Sequence, residues 1–166
     1  MTVVATSPVS QVFGSPAPNG RAAEIARGVQ RMFAELGLAS LTEVTLANGR
    51  RADVMAVGAK GELVIVEVKS CLQDFRTDHK WPEYAPYCDR FYFAVDCDFP
   101  KDRIPEHAGL MVCDGFGGAM LRECQPVLLN AARRKAVTLS FARLAAARLM
   151  RVGVAAGASS SEPAID

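Results

Sequence analysis

The stretch ADVMAVGAKGELVIVEVK, Ala52 to Lys69, limits what this chain can fold into more than any other. Two short apolar runs, Ala52–Val57 and Leu63–Lys69, flank a five-residue link in which Gly58, Ala59, Lys60 and Gly61 turn the chain. That is the pattern of a β-hairpin. Alternation along the second run puts Leu63, Ile65, Glu67 and Lys69 on one face and Val64, Val66 and Val68 on the other. On the first run Asp53 shares a face with Met55 and Val57. If Val57 pairs with Leu63 across the loop, Met55 faces Ile65 and Asp53 faces Glu67. Facing β-carbons lie about 5 Å apart, close enough for two carboxylates to hold one cation. Lys69 follows on the same face, roughly 7 Å further along.

Two facing carboxylates resist joint ionisation unless something positive sits between them. Oxygen ligands with open positions suit Mg²⁺ or Mn²⁺, and such an ion polarises a phosphoryl group and acidifies a bound water. A neighbouring lysine orients that water or stabilises the charge that develops on phosphorus. The chemistry implied is metal-assisted hydrolysis of a phosphodiester. The Glu67-Val68-Lys69 tripeptide alone is weak evidence, since a charged strand end usually just meets solvent and Asp78-His79-Lys80 repeats the spacing in a segment that reads helical. Asp53 at the facing position is what shifts the balance towards function.

With 166 residues, half of them hydrophobic, the chain reads as one domain with a sizeable core. The net charge of +1 provides no global attraction to nucleic acid, but residues 131–151 carry six basic groups and no acid, while 91–130 lean acidic. Five cysteines without a C-x-x-C spacing suggest neither a disulfide framework nor a zinc site, and a reducing cytoplasm fits them. No run approaches a membrane span, and the N-terminus lacks the basic start of a signal peptide.

In chain order, residues 1–18 read as a mobile arm, 19–152 as the folded domain and 153–166 as a flexible tail. Asn19 can cap a helix that runs to about Leu36 and closes at Gly37, with Ile25, Val29, Met32, Phe33 and Leu36 as its buried stripe. Glu24 flanks that stripe, as a carboxylate near the hairpin or simply as an acid favoured by the helix dipole. Thr42–Leu46 reads as a strand before the hairpin, Cys71–Trp81 as a helix that Pro82 ends or restarts, and Arg90–Val95 as a strand parallel to the Leu63 strand. Gly109–Cys113 and Ala119–Glu123 read as two further strands and Ala131–Arg151 as the longest helix. The result is an α/β fold with a mixed central sheet flanked by helices. Trp81, Tyr84 and Tyr87 lie close to basic groups and can stack bases, or can pack on the sheet as large side chains do.

The order of a helix with Glu24, a strand, the Asp53 strand, the Glu67-x-Lys69 strand, a helix and a strand resembles the PD-(D/E)xK nuclease superfamily of restriction endonucleases and Holliday junction resolvases. More narrowly, EVKSCLQDFRTDHKWPEYAPYCDRFYFAVD and ARRKAVTLSFARLAAARL resemble the MmcB family of bacterial DNA repair proteins, over residues 20–150. The resemblance implies a restriction-endonuclease-like core, a role in DNA repair and dependence on a divalent metal. It makes Asp53 and Glu67 metal ligands, Lys69 the catalytic lysine and Glu24 the helix-borne acid of the metal site. The proline usual before the aspartate is Ala52 here.

The leading expectation is therefore a bacterial, cytoplasmic and nucleoid-associated endonuclease that uses Mg²⁺ or Mn²⁺ on damaged or branched DNA. Arg51, Arg76, His79, Lys80 and Trp81 would meet the nucleic acid. Action on two strands would favour a homodimer. The competing expectation is a non-catalytic DNA-binding module that recruits other repair proteins, which the near-neutral charge supports. A hydrolase of RNA or nucleotides would share the same site.

Overall fold

Strand β3, Leu63–Lys69, lies inside a mixed six-stranded sheet and is buried along almost its whole length. Its run of Leu, Val and Ile suits a strand covered on both faces. In the computed structural model, which describes residues 18–77 and 80–158, β1 (Ala39–Thr45), β2 (Arg51–Val57), β3, β4 (Arg90–Val95), β5 (Gly109–Cys113) and β6 (Gly118–Arg122) lie side by side in chain order. The first three form an antiparallel meander. The β3–β4 and β4–β5 pairs are parallel, and β6 returns antiparallel. The hairpin register is the expected one, with Val57 opposite Leu63 and Met55 opposite Ile65. This architecture is consistent with a restriction-endonuclease-like core.

Helix α1, Pro18–Glu35, covers one face of the sheet. Ile25, Val29, Met32 and Phe33 recur at helical spacing and pack on Val54, Ala56, Val64, Val66, Tyr92 and Met111. Leu36, expected in the same stripe, is exposed because the helix has already ended. Gly37 takes a φ of +75° there, and Leu38 N donates to Phe33 O at 2.8 Å while Gly37 N donates to Ala34 O at 3.1 Å. These bonds satisfy the last carbonyls of the helix and turn the chain into β1.

The other face is covered by helix α2, Leu72–Thr77, a 3₁₀ segment, Trp81–Tyr87, and helix α3, Ala131–Ala158. The expected helix over 71–81 is therefore shorter, and Pro82 opens a 3₁₀ segment beyond it. Strand β1 starts three residues earlier than expected and β6 is shifted by one. Helix α3 continues to Ala158, through the first six residues of the expected tail; of the expected arm over 1–18, Pro18 belongs to α1, and residues 1–17 and the rest of the tail lie outside the described residues. Val137 and Phe141 of α3 join Met55, Ile65, Phe91, Phe93, Tyr84 and Tyr87 in the second core. Among the described residues no helix is long and apolar enough to cross a membrane.

Asp89 ties these layers together. Its side chain accepts hydrogen bonds from Leu63 N at 2.8 Å, Leu129 N at 2.9 Å and both terminal nitrogens of Arg134 at 2.6 Å. Burial works against the charge, but the Arg134 bonds and the two backbone donors outweigh it and hold the carboxyl below the usual range. A depressed carboxyl stabilises the fold above the ordinary carboxylate pKa of about 3.9, and that contribution disappears as pH falls through the folded value. Asp89→Asn should therefore lower stability by about 3 kcal/mol near pH 7 by stranding Arg134 and backbone donors. Urea unfolding of both proteins should show the gap shrinking below about pH 4.

Candidate functional site

The main-chain pairing of β2 with β3 is regular from Val57–Leu63 to Val54–Val66. One residue further, two carboxylates take over from it. Val68 N donates to Asp53 Oδ2 at 2.8 Å, and Asp53 N lies 3.4 Å from Glu67 Oε1. Each acid thus reaches across to the main chain of the other strand. Lys69 Nζ lies 3.8 Å from Glu67 Oε2, and both side chains are almost wholly buried. Tyr84, in the 3₁₀ segment, donates a hydrogen bond to Arg51 O at 3.1 Å and also hydrogen-bonds Glu67.

Burial first, and the negative charge of Asp53 second, push Glu67 up to about 8, although Lys69 and the Tyr84 hydrogen bond pull the other way. Two acids and one lysine leave the group short of positive charge. Together they form one wall of a cleft of about 880 Å³, whose lining also includes Arg27 and Gln30 of α1, Glu43 of β1, Arg51 and Ser70. Glu43 has a φ of +50°, rare for a residue with a side chain, and its Oε1 lies 3.8 Å from an Arg51 nitrogen.

Of the residues singled out from sequence, Asp53, Glu67, Lys69 and Arg51 meet in this cleft. Glu24 does not. It lines a second cleft of about 570 Å³, with Asp96, Asp98 and Asp114, in which Arg21 pairs with Asp96 at 3.0 Å. The helix advances about 100° per residue, so Ala23, Arg27 and Gln30 look towards Asp53 while Glu24 and Gly28 turn to the β5–β6 loop. A Cβ on Gly28 would run into the carbonyl oxygens of Asp114 and Gly117, so the close approach of helix and loop requires glycine.

Trp81 does not present a free stacking face. Its ring stacks on Phe91 at 5.6 Å, meets Phe93 edge-on and lies 5.1 Å from His107. Arg76 and Lys80 are exposed but do not line the Asp53 cleft, and His79 lies outside the described residues. Sequence reasoning did not pick out Gln30, Arg27 or Glu43. The i, i+4, i+7 spacing of Ala23, Arg27 and Gln30 would have placed the last two on one face, but not against Asp53.

The comparisons with known proteins bear on this arrangement. A model of the family described as DNA repair protein MmcB-like matches residues 14–156. The chain belongs to the MmcB-like DNA repair protein family. A solved structure described as the SPO1766 protein of unknown function from Silicibacter pomeroyi is 39% identical, with a TM-score of 0.78, over 80% of this chain and 90% of that one. No curated protein matches.

In this MmcB-like domain the site carries a cost that can be measured. A carboxyl raised when folded is tolerated while protonated and destabilises the fold increasingly as pH climbs from about 4.3, its unfolded value, towards about 8. Glu67→Gln should therefore melt close to wild type near pH 4 and at higher temperature than wild type at pH 8. Thermal scans in EDTA at the two pH values check this.

Proposed function

We propose that the cleft at Asp53, Glu67 and Lys69 hydrolyses DNA phosphodiester bonds with a divalent cation, and that the chain is a repair endonuclease of PD-(D/E)xK type acting on damaged or branched DNA. The observation that carries this reading is the meeting of two carboxylates at the end of the β2–β3 ladder, with a buried lysine beside them. Membership of a DNA repair family supports DNA as the substrate class.

The donor set fits Mg²⁺ or Mn²⁺. Among the described residues no group of three or more His, Cys, Asp or Glu side chains is placed to hold an ion. Mg²⁺ commonly takes only one or two carboxylates and completes its octahedron with water and substrate phosphate. Asp53 and Glu67 would hold it, and its charge would relieve the repulsion that raises Glu67. Bound there, such an ion supplies a Lewis acid for the phosphoryl oxygen and a more acidic water.

The chain's own groups do the rest. Lys69 orients the attacking water and donates to the charge that builds on the phosphoryl oxygens. The water oxygen bonds to phosphorus and releases a proton to solvent, the opposite ester P–O bond breaks, and the leaving oxygen takes up a proton from solvent. Arg51, exposed at the rim, meets the neighbouring phosphate. A non-catalytic DNA-binding module is the competing reading, favoured because among the described residues no group of three acids is placed to hold an ion.

Calorimetry with Mg²⁺ or Mn²⁺ should show binding lost in Asp53→Asn, and branched or nicked DNA should be cut by wild type. Asp53→Asn and Lys69→Ala should each reduce cutting at least about a hundredfold while circular dichroism shows both variants still folded. Equal cutting by both variants and wild type would sink this assignment. DNA binding insensitive to EDTA, with no cutting of any substrate, would establish the non-catalytic module instead.

A further inference from the structure

Helix α3 is 28 residues long and carries no acidic residue, so it extends about 42 Å. Three of its six basic side chains are engaged inside the fold. Arg134 grips Asp89, and Arg133 lies over the Tyr87 ring at 5.3 Å. Arg148 donates to Thr42 O at 2.7 Å and Glu43 O at 3.0 Å. The other three, Lys135, Arg143 and Arg151, are exposed and recur every eight residues, a rise of about 12 Å each.

Arg148 decides where this charge lies. Thr42 and Glu43 both line the Asp53 cleft, so the C-terminal half of α3 is fastened to the cleft rim, with Arg151 one turn beyond. Leu149, Met150 and Val152 around it are exposed. Across the cleft, Arg27 and Arg51 are exposed on the same lining. A second copy of this chain would bring an equal positive charge to the surface, which opposes its docking there. A polyanion complements it.

We propose that the DNA backbone leaves the cleft along α3 from its middle to its C-terminal end, with Arg143 and Arg151 contacting phosphates on the continuation of the Arg27–Arg51 rim. This rests on DNA being the substrate, and it moves the binding track away from Arg76 and Lys80, which lie off the cleft.

The test is fluorescence anisotropy of a labelled DNA duplex, in EDTA, over a salt series from 50 to 200 mM. Each phosphate contact contributes about 0.9 to the slope of log affinity against log salt. Arg143→Gln/Arg151→Gln should reduce that slope by about 2 and weaken binding at the lowest salt about tenfold or more, with unchanged circular dichroism. Arg76→Gln/Lys80→Gln should leave both quantities at wild-type values. A wild-type slope in the α3 variant, or the loss appearing in the Arg76/Lys80 variant, would overturn the track. So would binding of wild type to phosphatidylglycerol vesicles that the α3 variant loses while its DNA slope stays intact. Because EDTA removes any cutting, the result is independent of catalysis: a protein that binds with the expected slope but never cuts overturns only the endonuclease reading.

Discussion

The Asp89–Arg134 pair is the contact on which the layered structure depends. A parallel β3–β4 pair must be buried on both faces, so the segments before and after it need fixed ends. Asp89 precedes β4 directly. Its main chain bonds Leu63 O at 2.7 Å and takes Val127 N at 2.8 Å, and its carboxylate binds the start of β3, the approach to α3 and α3 itself. Arg134 Nη1 also donates to Gly61 O at 2.7 Å, in the hairpin turn. One carboxylate thus sets the start of β3 against β4 and clamps α3 over both. With the start of β3 fixed, its far end, carrying Glu67 and Lys69, has little freedom of position.

The two ends of β3 treat the same functional group in opposite ways. Asp89 is surrounded by donors, and its carboxyl is held low. Glu67 is equally buried, but it faces a second acid and a single lysine, and it is pushed up to about 8. Burial costs both. What differs is the supply of positive charge, and a fold that compensates Asp89 so fully shows that Glu67 is not left short through any general shortage of donors. A shortfall at an open cleft is the condition in which an external cation gains most from binding.

The hairpin was readable because a strand has a period of two and a short loop leaves little choice of register. Once Val57 is set against Leu63, the pairing as far as Val54 and Val66 follows, and Glu67 lies on the next position of β3; the phase change at Asp53 was not readable. The stripe on α1 was readable for the analogous helical reason. Glu24 was not, since periodicity says which residues share a face but not which of two clefts that face sees. Trp81 beside Lys80 looks the same in sequence whether it stacks on a base or on Phe91. The basic run in α3 read as one undivided charge, whereas contacts more than forty residues away in sequence, to Asp89 and to Thr42–Glu43, occupy two of its arginines. No local pattern marked Asp89 at all.

Glu43 joins these observations. In a regular strand, Leu41 and Val44 would point to opposite faces, yet both pack on the α3 side; across the ladder, so do Ala52 and Met55. The left-handed Glu43 sits opposite Asp53, between the Thr42–Val54 and Val44–Ala52 pairs, and there the alternation of both strands changes phase. A backbone in that region costs on the order of 1 kcal/mol. It also aims two successive carbonyls, of Thr42 and Glu43, at a single guanidinium, and Arg148 takes both. The phase change spares the strand edge from having to bury Asp53 beneath α3, so the acid stays half-buried at the cleft. Local strain in β1, the exposure of Asp53 and the docking of α3 are therefore one arrangement, in which Arg148 of the helix takes both carbonyls that the strained residue presents.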